Sequence, residues 1–438
     1  MQRIFLLVAV VFLLVAAPAA AQTDSTMFRD AESLLTEGIQ AYDTGNYQAA
    51  LRCFKQVSLA SPVYARACFE IALCYSSMDS LNLALAKSEE AFDLEPEDVD
   101  FIILRASILD DAKKTDDAIK LLQEAKKHWP FNRRVLFNLA VCYLNATRYP
   151  EAERCLLQTC KYQPYVASNH LALAKVNYYM GRYAQAYMAF QMAIAVSPSV
   201  AYLQEYQDFI TGKKDVYVKS YRFPYPSGVD HAKWDNLSKL WNTDLAFRKD
   251  FDLKHPINLA VSQHIYMVLQ TVTYDPADTS LYNQFYARYL QNIYQNGKAD
   301  EYIYYLFQTT TVEGVEAWKR KNPQASDQFV QWTLSLLDSW KQYGFNSVNE
   351  QNQTKVMHYE NNVLQSLGTL REVGQGIKTG NWININPTGY IEEKGAFEND
   401  LRQGEWLVFW PNGKIKQQLN FVNDKLSGLN FTFHPNGT

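Results

Sequence analysis

Chemistry-bearing motifs are what this 438-residue chain most conspicuously lacks. Its seven histidines include no H-E-x-x-H pair, the spacing that sets two imidazoles and a base on one helical face. There is no G-x-S-x-G elbow, no Walker loop and no dinucleotide-binding glycine pattern, which removes the motif-bearing hydrolases and nucleotide enzymes. The pair Gly374 and Gly376 reads as a turn. Lysine and arginine form no cluster and the formal net charge is −4, so nucleic acid is not expected as a partner. Cysteine is sparse as well. The six residues Cys53, Cys68, Cys74, Cys142, Cys155 and Cys160 have no paired C-x-x-C spacing, which argues against zinc. They are either small apolar core residues or disulfide partners, and sequence alone leaves both open. No catalytic, metal or cofactor residue is expected.

Beyond residue 21 no apolar run is long enough to span a bilayer. The first 21 residues carry one basic residue, Arg3, an apolar run from Ile4 to Ala17, and Ala19-Ala20-Ala21. They resemble a secretory signal peptide, with the mature chain starting near Gln22.

What is present is repetition. Pro62, Pro96, Pro130, Pro164 and Pro198 stand 34 residues apart. With Pro62 as position 32 of a unit, position 8 is Gly38, Ala72, Ala106, Ala140 and Ala174, and position 20 is Ala50, Ala84, Ala118, Ala152 and Ala186. Small residues recur where two helices touch, and proline, lacking an amide hydrogen, ends the second helix of each unit. The pattern resembles the tetratricopeptide repeat, a helix-turn-helix of 34 residues, with five units over about 31–198. It departs at position 4, where Leu34, Cys68, Ile102, Leu136 and His170 replace tryptophan. The segment after Pro198, with Val200, Leu203, Gln207 and Ile210 at helical spacing, predicts a capping helix.

In that family, positions 2, 5, 9 and 12 of the first helix line a concave, peptide-binding face. Positions 5 and 9 here are Leu35 and Ile39, Phe69 and Leu73, Ile103 and Ser107, Phe137 and Val141, and Leu171 and Lys175. Apart from Lys175, and Arg66 and Arg134 at position 2, the cations of carboxylate-clamping members are missing. The resemblance thus implies a protein partner that presents an apolar or amphipathic segment.

A second period closes the chain. Gly380-Asn381-Trp382, Gly404-Glu405-Trp406 and Gly428-Leu429-Asn430 are 24 residues apart, as are Gly389, Gly413 and Gly437. Residues 406–410 alternate and Asn412-Gly413 is a hairpin signal, so residues 376–438 predict a β array. It resembles the bacterial variant of the MORN repeat. Trp382, Trp406 and Trp410 are its candidate contact residues, with hairpin packing the expected role of Trp382 and Trp406.

Between the arrays, 212–232 reads as a linker because Pro224, Pro226 and Gly228 break helices. Two aromatic stripes, Tyr282, Phe285, Tyr286, Tyr289 and Ile293, then Phe329, Trp332, Leu336, Leu337 and Trp340, predict a helical middle domain over 233–375. Its last part, 357–374, is expected as a short helix after a polar loop at 346–354. Asp98 is expected to cap a helix within the acidic run 95–100.

The chain therefore reads as mainly α: signal peptide 1–21, a helical solenoid of five repeats plus cap at 22–211, linker, helical middle domain, and a small antiparallel β array. The expected function is an interaction scaffold of a Gram-negative envelope or periplasm, without a membrane span once the signal is cleaved. One alternative is an envelope hydrolase, with Asp230, His231, Asp235, His255 and His264 as the residues that would have to converge. Another is a glycan-binding module using the tryptophans of the β array.

Overall fold

The structure, a computed structural model, describes residues 30–211, 231–241, 257, 259–343, 354–371 and 376–438. The expected signal peptide and nearly all of the expected linker lie outside these residues.

Five helix pairs open the fold: α1 (Ala31–Asp43) and α2 (Tyr47–Phe54), α3 (Tyr64–Ser77) and α4 (Leu81–Leu94), α5 (Val99–Asp111) and α6 (Thr115–His128), α7 (Arg133–Asn145) and α8 (Tyr149–Tyr162), α9 (Ala167–Tyr179) and α10 (Tyr183–Val196). The small-residue columns lie where the helices of a pair cross. A methyl added to Gly38 would sit 2.3 Å from the Phe54 ring, and the nine alanines at positions 8 and 20 are buried. Within each pair the first helix ends on a left-handed residue at position 15: Gly45, Asp79, Lys113, Thr147 and Gly181, with φ between 55° and 78°. That conformation lets the chain reverse immediately after the helix. Asp98 caps α5 as expected, its carboxylate accepting the amide of Asp100 at 2.7 Å.

The capping helix is α11 (Val200–Ile210). Its inward residues are Leu203, Tyr206 and Phe209, while Val200 is exposed and Gln207 and Ile210 are half-buried. The two rings, with more area to bury than valine or glutamine, set the rotation of the helix. Then follow α12 (His231–Trp241), α13 (Ala260–Thr271), a π-helical turn at Tyr282–Ala287 running into α14 (Arg288–Gln295), α15 (Ala299–Leu306), α16 (Val315–Lys321) and α17 (Ala325–Tyr343). Both aromatic stripes face inward: Tyr282, Phe285, Tyr286, Tyr289, Ile293, Phe329 and Leu337 are buried, and Trp332 and Leu336 half-buried. Trp340's side chain lies outside the described residues. These helices share one continuous core with repeats three to five, running from Ile102 to Leu337.

The sheet starts earlier than the sequence suggests. The described part of the expected helix at 357–374, residues 357–371, is not helical: β1 (Thr354–Glu360) and β2 (Val363–Leu370) are an antiparallel hairpin. Asn361 and Asn362, at φ 48° and 63°, make the two-residue turn that matches strand twist. The meander continues through β3 (Lys378–Ile385), β4 (Ile391–Glu398), β5 (Leu401–Phe409), β6 (Ile415–Val422) and β7 (Lys425–Leu426), with β8 (Phe431–Thr432) also on β6. Two turn types alternate: Asn-Asp pairs with both φ positive at 399–400 and 423–424, and turns ending on left-handed Gly389 and Gly413.

Those glycine turns seat the sheet on the repeat corners. The amide of Phe131 donates to the Gly389 carbonyl at 3.0 Å, and Asn132 Nδ2 donates to the Thr388 carbonyl at 2.6 Å. One hairpin further on, Asn412 Nδ2 donates to Glu97 at 3.1 Å. Each 24-residue step advances two strands, about 9.6 Å, close to the roughly 8–10 Å between packed helices. The two periods, 34 and 24 residues, can therefore run side by side.

Candidate functional site

The first-helix face carries the expected groove residues at graded depth. Leu35, Phe69 and Ile103 are core, at 5%, 8% and 5% exposure, and Phe69 stacks on Phe101 at 5.1 Å. Ile39, Leu73, Phe137, Val141, Leu171 and Lys175 are half-buried and Ser107 is exposed. Position 5 thus points into the solenoid in repeats one to three, and position 9 supplies the accessible apolar surface of repeats one, two and four. The cations of this face are neutralised internally. Arg66 pairs with Glu70 at 2.6 Å, Arg134 with Asp100, and Lys175 with Glu205 of α11 at 2.8 Å. The capping helix closes this end further, Phe209 meeting the Tyr178 ring at 4.3 Å.

The opposite, second-helix face of repeats four and five is occupied by the chain itself. Tyr282 and Tyr286 of the π-helical turn enter the furrow between α8 and α10, above α9. The Tyr282 hydroxyl donates to Glu153 Oε1 at 2.7 Å and accepts from Asn177 Nδ2 at 2.7 Å. Glu153 in turn receives Arg182 Nη1 at 2.7 Å on both oxygens, with both side chains buried. His170 Nε2 donates to the Pro164 carbonyl at 2.7 Å, which leaves Nδ1 to accept the Tyr286 hydroxyl at 2.8 Å. Position 4 thus carries histidine, not tryptophan, in the unit where this turn docks. Burial pushes His170 down to about 4. His264 is alike: it bridges the Trp241 carbonyl and the Tyr206 hydroxyl, each at 2.8 Å, and burial lowers it to about 4.

Of the candidate hydrolase residues, His264 is buried in the core while Asp235 is exposed on α12. Asp230, His255 and the His231 side chain lie outside the described residues. All six cysteines are free thiols; five are buried, and burial raises Cys142 and Cys160 to about 12. Among the described residues no group of three or more His, Cys, Asp or Glu is placed to hold a metal ion. No helix among them is long and apolar enough to cross a membrane.

In the sheet, Trp382 and Trp406 are 4% and 2% exposed, lying flat over Gly368 and Gly395, while Trp410 is half-buried. Trp382, Phe397, Trp406 and Phe421 form an edge-to-face ladder with centroids 5.9, 5.0 and 6.4 Å apart. Lys378 and Arg402 lie across it, Arg402 Cζ 4.1 Å from the Phe421 centroid. A methyl at position 395 would fall 2.3 Å from the Trp406 ring. Gly395→Ala is therefore expected to displace the ring and cost about 1–3 kcal/mol. A urea titration followed by tryptophan fluorescence checks this, and an unchanged midpoint would contradict it.

Comparison with known proteins decides the nature of the helical array. Residues 35–77 and 111–164 match family models described as tetratricopeptide repeat. The helix pairs within these two spans are tetratricopeptide repeats. Solved structures of such proteins align with part of the chain. A thermophilic TPR protein from Thermus thermophilus aligns at 19% identity over 42% of this chain and 100% of its own, with a TM-score of 0.37. MamA from Desulfovibrio magneticus RS-1 aligns at 14% identity over 38% of this chain and 94% of its own, TM-score 0.34. MamA of MSR-1 aligns at 21% over 38% and 95%, TM-score 0.32. No curated protein matches the sequence. The tetratricopeptide repeats here are joined, in one chain, to an eight-stranded antiparallel sheet.

Proposed function

We propose that this protein is an exported interaction scaffold of the Gram-negative envelope or periplasm, whose tetratricopeptide array holds an apolar or amphipathic segment of a protein partner. The observation that carries this reading is the division of labour between the two faces. The chain docks its own helices on the second-helix side of repeats four and five, while Ile39, Leu73, Phe137 and Val141 remain half-buried on the first-helix side. A run of accessible apolar side chains along a repeat array is the usual form of a docking surface. Catalysis has no part in the proposal.

Export rests on the basic, apolar and small-residue succession of the first 21 residues. The β array, similar in sequence to the MORN variant, would serve as a rigid second contact fixed to the repeat corners, with half-buried Trp410 its most accessible tryptophan. The test is a crosslinked pull-down from the cell envelope with the native chain and with the double variant Leu73→Asp, Val141→Asp. A partner captured by the native form and lost from a variant of unchanged helical content is the expected result. An identical catch from both forms would overturn it.

A further inference from the structure

The furrow that Tyr282 and Tyr286 fill on repeats four and five recurs on repeats two and three, where among the described residues no helix of the chain docks. Glu153, Cys160, His170 and Asn177 surround those two tyrosines. Two 34-residue repeats upstream, the same positions are Leu85, Phe92, Ile102 and Leu109. These four line two adjoining cavities of about 270 and 350 Å³ between α4 and α6, above α5, that meet at Leu121; Arg105 lies between them with Cζ 4.7 Å from the Phe92 centroid, and Asn412 and Lys414 of the β5–β6 turn wall the first.

Why this furrow is open follows from one position of the repeat. Position 11 is tyrosine in repeats two and four, and that ring fills the local furrow. Lys55 Nζ lies 5.4 Å from the Tyr75 ring centroid, and Gln123 Nε2 donates to the Tyr143 hydroxyl at 2.8 Å. In repeat three the residue is Leu109, too short to do this. Glu89, which stands where Lys55 and Gln123 stand, bonds Arg105 at 2.8 Å instead. In repeat five the residue is Asn177, and there the furrow receives Tyr282.

We propose that the α4–α6 furrow is a second docking cleft, which takes a helical segment of a partner protein bearing two apolar aromatic rings one helical turn apart. The inference lies beyond the first-helix groove, since it concerns the other face of the array. The occupant follows from the filled copy of the same site, where the chain inserts residues four apart from a helical turn. An apolar cavity of about 150 Å³ accepts one benzene-sized ring, and each of the two cavities exceeds that volume, with Phe92 and Ile102 as the apolar wall of one and Leu85 and Leu109 of the other. Phenylalanine is favoured over tyrosine because Leu85, Ile102 and Leu109 replace Glu153, His170 and Asn177, the groups that bond the tyrosine hydroxyls. A hydroxyl buried there without a partner weakens binding. Exposed Glu89, Lys114 and Asp117 line the cleft and supply a rim of both charge signs.

The test uses the full chain and a fluorescent peptide copying residues 278–295 with Tyr282→Phe and Tyr286→Phe. Leu109→Tyr should plug the furrow as Tyr75 and Tyr143 plug theirs. Saturable binding to the native chain, weakened at least tenfold by Leu109→Tyr with an unfolding midpoint equal to or above native, is expected. Leu121→Lys, which sets a charge at the junction of the cavities, should give the same loss and covers the case in which Leu109→Tyr misfolds. Absence of saturable binding, or equal binding by all three proteins, would overturn the proposal. So would a native dimer in sedimentation that Leu109→Tyr dissolves, because the occupant would then be a second copy. Leu73→Asp with Val141→Asp leaves this cleft intact and should bind the peptide normally, which separates failure here from failure of the groove reading.

Discussion

Acidification from pH 7.5 to 5 is expected to destabilise the folded chain by about 4 kcal/mol, through His170 and His264. Both imidazoles are buried and neutral, and burial holds each at about 4 against an ordinary value of 6.5. Between those values the unfolded chain binds the proton and the folded chain does not. Stability is therefore fully present above about pH 6.5 and falls as the pH drops toward 4. At pH 5 each histidine accounts for about 2 kcal/mol of the loss. Each also sits at a junction: His170 joins α9 to the π-helical turn, and His264 joins α13 to the capping helix. The loss should thus appear first as undocking of the helices after residue 231. Urea midpoints at pH 7.5, 6 and 5 check the size, and hydrogen exchange checks the location. A double variant His170→Asn, His264→Asn should start less stable and lose less with acid. A midpoint that does not move between pH 7.5 and 5 in the native chain would show that these side chains are solvated.

Glu153→Gln is expected to cost about 3–5 kcal/mol, the range found when one member of a buried ion pair is removed. Arg182 donates to both oxygens of Glu153, and the same carboxylate receives the Tyr282 hydroxyl. The amide keeps the shape but loses the charge, leaving a guanidinium in a dry interior. Removing both charges together, with Glu153→Met and Arg182→Met, should recover part of the loss, although the Tyr282 hydroxyl would still miss its acceptor. Denaturant unfolding of the single and double variants measures the coupling. Equal midpoints for native and Glu153→Gln would mean that the pair is solvated and that the π-helical turn docks by ring packing alone.

The repeat array is legible in the sequence because its determinants are steric and local. Proline at position 32 and alanine at positions 8 and 20 recur wherever a helix must end or two helices must touch. The left-handed column at position 15 is not legible in the same way, since only Gly45 and Gly181 carry the usual residue; Asp79, Lys113 and Thr147 adopt the same φ because the pair geometry demands it. The hairpin at 354–370 is hidden for a similar reason. Its turn is Asn-Asn without glycine, and the strand gains its hydrogen bonds from β3 beyond it. Non-local pairing overrides a sequence that also reads as helix.

At the candidate site, periodicity identifies the first-helix positions but not their depth. Nothing in the spacing distinguishes Leu35, Phe69 and Ile103, which are core, from Leu73 and Val141, which remain accessible. The stripe of Tyr282 and Tyr286 is legible as a buried face. Its destination is not, because the groups that receive the hydroxyls lie more than 100 residues earlier. The tyrosines at position 11 are the available signal: among repeats two to five, each of which follows another repeat, only three and five lack one, and theirs are the two furrows that need another occupant.

The most direct measurement is site-specific photo-crosslinking in the cells that make the protein, with a photoreactive residue in place of Leu73 on the first-helix face or of exposed Leu83 on α4. A covalent adduct with one discrete protein from position 73, absent from position 83, is expected if the first-helix groove is the recognition surface. No adduct at position 73, or the same adducts from both positions, would contradict it.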